Sequence, residues 1–153
     1  MFQKSSVSIS NLMDCPSDIE IVAKWYFNEW DHREPKATIE SVIKKVSSNS
    51  SLFHFVAHIN GELAGAGELK YREYSDYPNY NHWIDGIYVS KNYRGKGIST
   101  ILIEFAKSKA LELKISALYL RCEDHLLKFY QSHGFQVVCA EKTKFIMAYT
   151  VNM

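Results

Sequence analysis

Residues Arg94-Gly95-Lys96-Gly97-Ile98-Ser99 put two cations and two glycines where a strand-like run, Trp83 to Val89, gives way to an amphipathic segment that begins at Ile98. The chemistry such a junction can do is anion binding. Glycine lets the backbone come close to a ligand, and the first N–H groups of a helix have no partners within it and point outward. Arg94 and Lys96 add positive charge at the same spot. The expected ligand is a phosphate or pyrophosphate. A P-loop is excluded, because no Gly-Lys-Ser/Thr occurs in the chain. A dinucleotide fingerprint fits poorly: Gly95-Lys96-Gly97-Ile98-Ser99-Thr100 ends in Thr where Gly is required, and too little chain follows for a doubly wound fold.

A third option matches better. Val89 to Ser99 resembles the acetyl-CoA signature of the GNAT superfamily of N-acyltransferases, Arg/Gln-x-x-Gly-x-Gly/Ala, with Arg94, Gly97 and Ser99 at its three positions. Ser99 departs from the usual Gly or Ala. Farther on, Phe129-Tyr130-Gln131-Ser132-His133-Gly134-Phe135 resembles the family's Tyr-x-x-x-Gly-Phe motif. It follows a strand-like Ala117 to Cys122, in the family's order. The resemblance covers residues 52–149 and is strongest from Ile84 to Phe135. It implies acetyl-CoA as co-substrate, with the backbone of Ile87, Tyr88 and Val89 along the pantetheine and thioester. Arg94, Gly95, Lys96, Gly97, Ile98, Ser99 and Thr100 would then surround the pyrophosphate.

Acetyl transfer to an amine also needs a base and an acid. A lysine-like amine has a pKa of about 10.4, so near pH 7 only on the order of one molecule in a thousand is nucleophilic, a shortfall of roughly 4 kcal/mol. Asp85 is the first candidate base. Strand alternation puts it on one face with Ile87 and Val89, and many relatives carry an acid there. Pairing with a neighbouring cation is the competing role for Asp85. Glu68, Glu73, Asp76 and His82 are weaker candidates. The resemblance gives Tyr130 the role of general acid toward the leaving thiolate. Trp30, Tyr74 and Trp83 are candidate acceptor-lining residues, and nearby acids such as Glu29, Asp31, Glu73 and Asp76 favour a cationic amine. His54 and His58 share a strand face, but no third ligand stands at a closing spacing, so no metal is expected.

These residues need a scaffold. The chain has 153 residues, 46% of them hydrophobic and 23% charged, which suits one ordinary globular domain over 1–153. A net charge of +1 gives no broad attraction to nucleic acid or membrane, and neither is expected as a partner. Three scattered cysteines, Cys15, Cys122 and Cys139, suit reduced thiols in a cytoplasmic protein. Met1-Phe2-Gln3-Lys4 opens no signal segment, and no apolar run is long enough to span a membrane.

Periodicity supplies the elements. Val7 to Leu12 reads as a strand, and Ser17-x-x-Glu20 reads as a capping box before a helix through Trp30. Ile39 to Val46 is a second helix. Leu52 to Ile59 and Glu62 to Tyr71 form a hairpin around Asn60-Gly61. Trp83 to Val89 is a strand, Ile98 to Leu113 the cradle helix, and Ile115 to Cys122 another strand. Leu126 to His133 is a short helix stopped by Gly134, and Phe135 to Ala140 with Lys144 to Val151 closes a last hairpin. This order is that of the GNAT fold, an α/β arrangement whose mixed, mostly antiparallel central sheet is splayed at its middle with flanking helices. The expected function is N-acetylation of a small-molecule or peptide amine by direct attack. A catalytically silent acyl-CoA-binding module is the alternative. Oligomeric state stays open, a homodimer included.

Overall fold

The computed structural model describes residues 6–48 and 50–151. The opening Met1 to Lys4 and Asn49 of the polar loop lie outside the described residues. The elements run β1 (Val7–Asn11), α1 (Ile19–Glu29), α2 (Ile39–Ser47), β2 (Phe53–Ile59), β3 (Glu62–Tyr71), β4 (His82–Val89), α3 (Ile98–Glu112), β5 (Ala117–Cys122), α4 (Leu127–Gln131), β6 (Gln136–Ala140) and β7 (Phe145–Thr150). The strands form one sheet in the order β1-β2-β3-β4-β5-β7-β6. Pairs β1–β2, β5–β7 and β6–β7 are antiparallel. The parallel pair β4–β5 is held at one register point, Trp83 opposite Tyr119. This is the mixed, mostly antiparallel sheet that the resemblance implies, and it is not closed into a barrel.

By contacts the chain falls into two interleaved compact units. One is the chain up to Glu68 together with Gly86–Leu102, and the other is Leu69–Asp85 together with the chain from Ile103 onward. In the first unit, Leu12, Val22, Ala23, Tyr26, Val42, Val46, Val56 and Ala66 pack into one core. Two glycines of β3 permit close packing there. A Cβ at Gly65 would meet the Tyr88 carbonyl at 2.9 Å and the Leu102 and Ile98 side chains at 3.2 and 3.3 Å. A Cβ at Gly67 would meet Phe55 at 2.6 Å and Ile87 at 2.7 Å. In the second unit, Leu118, Leu120, Phe135, Ile146 and Met147 are buried.

Local signals mostly hold. Asn60 and Gly61 both have positive φ, 50° and 83°, as a two-residue type I′ hairpin requires. Gly134 (φ 89°) ends the segment that carries α4. The capping box moves. Pro16–Asp18 winds a short 3-10 turn, and α1 starts behind Asp18 with no side-chain cap. The box forms on α2 instead, where Ser41 N–H donates to Thr38 Oγ1 at 3.0 Å and Thr38 N–H to Ser41 Oγ at 2.9 Å. Serine takes the place usually held by Glu or Gln, so the pattern was not legible there.

Candidate active site

The cradle is built as its composition demands. Gly95 and Gly97 have φ of 75° and 85°, a region that other residues enter only at a cost. A Cβ at either position would meet nothing within 4 Å, so the turn faces open space. Immediately after it α3 begins. Ile98 is 1% exposed and anchors that end of the helix, while Ser99 and Thr100 are half-buried in its first turn. The two cations fold back onto the protein. Arg94 Nε donates to the Val89 carbonyl at 3.0 Å, and its guanidinium lies over the Tyr88 ring at 5.2 Å. Lys96 Nζ sits 5.7 Å from the Tyr93 ring centre. Open space, left-handed glycines and the start of a helix, whose dipole favours an anion, fit a pyrophosphate. Arg94 to Thr100 would hold it, and acetyl-CoA bound there would supply the activated acetyl group.

In the same unit Tyr88 stacks on Trp25 with ring centres 4.9 Å apart, and Trp30 meets its edge at 6.3 Å. Trp30 is 38% exposed and also touches Tyr26. Gly86 carries φ 60° in the middle of β4, where a Cβ would meet Tyr26 Oη at 2.8 Å. A left-handed residue inside a strand interrupts strict alternation. The rule that put Asp85 on the face of Ile87 and Val89 therefore does not carry across Gly86.

Behind Gly86 lies a buried polar chain. The Tyr26 hydroxyl donates to the Gly86 carbonyl at 2.9 Å and lies 2.9 Å from His54 Nε2. His54 Nδ1 lies 3.2 Å from Glu68 Oε1. Tyr26 has a single proton and gives it to Gly86, so Nε2 must donate to the phenol oxygen. Tyr26, His54 and Glu68 are 5%, 4% and 6% exposed, which makes Glu68 a structural partner in this arrangement. His58 goes elsewhere, to Asp18 at 2.7 Å, and Cys15 brings a third donor atom within 4.8 Å of both. The spacing within β2 could not show this trio, since two of its members come from the turn before α1.

In the second unit, Asp85 is ion-paired. Arg72 Nη2 donates to Asp85 Oδ2, and Lys70 Nζ lies 3.8 Å from the same oxygen. Asp85, Tyr74 and Trp83 line one small cleft with Arg72, Ile84 and Arg121. Arg72 also donates to the Tyr74 hydroxyl at 3.2 Å. The Arg121 guanidinium lies 5.4 Å from the ring centres of both Tyr74 and Trp83. Its Nε and Nη2 bind Glu141 at 2.7 and 3.3 Å. That fork holds the Glu141 carboxyl below its ordinary range, with burial opposing and the Tyr77 hydroxyl adding to it. Tyr71, Glu73, Tyr74, Ser75, Pro78 and Asn81 line a wider cleft of about 440 Å³ that shares the Tyr74 wall. Arg72 and Arg121 were missed by sequence reading. Each stands at the end of an alternating strand, where a cation reads as a solvated tip.

Tyr130 stands on α4 in this second unit, outside the lining of either cleft. Its ring packs against Phe129 and Phe135 at 5.0 and 6.0 Å. Its hydroxyl makes no hydrogen bond among the described residues, and burial, with Cys122 adding, pushes its pKa up to about 12. Burial lowers the pKa of His82, one of the weaker base candidates.

No curated protein matches the chain. Solved structures do. An aminoglycoside 6'-N-acetyltransferase complexed with coenzyme A superposes with a TM-score of 0.76 at 15% identity, over 95% of this chain and 98% of that one. A GNAT-family acetyltransferase from Streptococcus pneumoniae gives 0.70 at 19%, over 95% and 99%. The PaiA N-acetyltransferase from Thermoplasma acidophilum in complex with coenzyme A gives 0.68 at 21%, over 95% and 99%. At such identities these likenesses show the fold. The sequence itself matches the acetyltransferase (GNAT) family over residues 19–135, more than half of its length. The chain belongs to the acetyltransferase (GNAT) family and is an acyltransferase.

Proposed function

We propose that the protein transfers the acetyl group of acetyl-CoA to a primary amine by direct attack of the amine nitrogen on the thioester carbonyl. The observation that carries this reading is the cradle, two left-handed glycines facing open space at the start of α3, within a chain of the GNAT family. Solved relatives in complex with coenzyme A support the same co-substrate.

In this reading Asp85, held by Arg72, takes the proton that the attacking amine loses. The N–C bond forms as the C–S bond breaks. Tyr130 then donates its hydroxyl proton to the departing sulfur. The partial burial that raises the phenol's pKa would also desolvate the thiolate and increase its demand for a proton. Trp30, Tyr74 and Trp83 supply aromatic surface for the acceptor. The protein would work in the cytoplasm without a metal. The test is thiol release on mixing the protein with acetyl-CoA and a panel of amines. Amine-dependent release is expected. Tight acetyl-CoA binding without release from any amine would identify a binding module instead.

A further inference from the structure

The small cleft of the second unit is not built for a cation. Its lining carries two guanidinium groups, Arg72 and Arg121, against one carboxylate, Asp85. With Lys70 on Asp85 and Glu141 on Arg121 added, these five groups carry one positive charge in excess. A small cationic amine favoured by surface acids finds one carboxylate against two guanidinium groups in this lining.

The arginines are also held in place. Glu141 fixes Arg121 through Nε and Nη2, leaving Nη1 outside that fork. Trp83 and Tyr74 flank its guanidinium at 5.4 Å, and Trp83 is itself fixed by Nε1 donating to the Tyr80 carbonyl at 2.8 Å. Arg72 is held by the Tyr74 hydroxyl and by Asp85. Yet both remain reachable, with 36% and 30% of the Arg72 and Arg121 side chains exposed. A planar cation lying close to aromatic rings is weakly hydrated and suited to binding a carboxylate. The cleft measures about 70 Å³. One water needs about 10–15 Å³ of such space, so several water-sized groups fit, enough for a carboxylate. The body of a larger molecule has space beyond Tyr74, in the cleft of about 440 Å³.

We infer that Arg121 and Arg72 form a carboxylate subsite, and that the acceptor is an amine that itself bears a carboxylate, such as an amino acid or the C-terminal residue of a peptide. This rests on the acetyl-transfer reading and narrows its substrate. The test compares kcat/KM, by thiol release from acetyl-CoA, for a set of amino acids, their carboxamides and their decarboxylated amines. The acids are expected to exceed both counterparts by about tenfold or more, the scale of one charge-assisted contact. In Arg121→Gln the ratio of acid to amide should collapse toward one through a rise in KM for the acid, with the KM for acetyl-CoA unmoved. Arg121→Lys, which keeps the charge but not the fork, should restore part of the ratio. If Arg121→Gln does not fold, the native protein's preference decides alone. Amides or decarboxylated amines turning over as well as the acids would overturn the subsite and leave acetyl transfer standing. No release with any amine would overturn both.

Discussion

Tyr130 keeps its proton far above neutral pH because its surroundings are poor in water, with a pKa of about 12. A phenol so placed is loaded as an acid near neutral pH. Tyr130→Phe keeps the ring packing against Phe129 and Phe135. It should leave folding and acetyl-CoA affinity unchanged while kcat falls by about 10²-fold or more. A fall of less than threefold, with chemistry rate-limiting, would make Tyr130 a packing residue. Asp85 needs a different test because its ion pairs give it a structural role in any case. It is 47% exposed, so Asp85→Asn should cost about 1 kcal/mol of stability or less. If Asp85 is the base, the rate deficit of Asp85→Asn should be largest near neutral pH and shrink as the amine deprotonates unaided. A constant ratio of mutant to native rates across pH leaves Asp85 with the ion pair only. Tyr130 was legible because its motif lies within seven consecutive residues. The Asp85 partner was not, because Arg72 lies just past the end of β3 and register is invisible in one sequence.

Among the elements, β4 carries the most consequence per residue. Gly86 turns the strand through a left-handed conformation, and the Tyr26 hydroxyl occupies the space beside it. Gly86→Ala thus meets two costs. The first is the left-handed backbone, about 1 to 2 kcal/mol; the second is a methyl group 2.8 Å from a buried oxygen that cannot move without releasing His54. Gly61→Ala is the control, since φ is 83° with nothing within 4 Å and only the first cost applies. Chemical denaturation should show Gly86→Ala destabilised by at least about 1 kcal/mol more than Gly61→Ala; equal shifts would mean that Tyr26 does not constrain the turn. The same residue marks where sequence reading fell short. The hairpin at Asn60-Gly61 was legible because both residues are needed by its turn type. Gly86, one glycine inside an apolar run, read as ordinary strand, and its left-handed turn was not legible. Gly65 and Gly67 were similarly silent, since what they admit comes from β2, β4 and α3.

For the molecule as a whole, the order of eleven elements was readable because nearly every one is bounded by a polar or glycine-bearing turn and carries its own period. Charge was readable too, and it limits how the co-substrate can be recognised. Eighteen basic residues against seventeen acidic ones leave a net charge of +1, too little to draw a polyanion from a distance. Nor do the cradle's own cations project freely, since Arg94 bonds Val89 and Lys96 lies over Tyr93. Affinity for a pyrophosphate must then come mainly from backbone N–H groups at short range, with the glycines allowing approach. Salt screens exposed charges beyond about 8–10 Å at ordinary ionic strength and affects short hydrogen bonds far less. Raising salt from about 0.05 to 0.5 M should therefore weaken acetyl-CoA binding by less than about tenfold in calorimetry. Gly97→Asp, which adds a carboxylate in the open space before α3, should weaken it far more in a folded protein. A steep salt dependence, with Gly97→Asp little different from the native chain, would move recognition to surface lysines and arginines and away from the cradle.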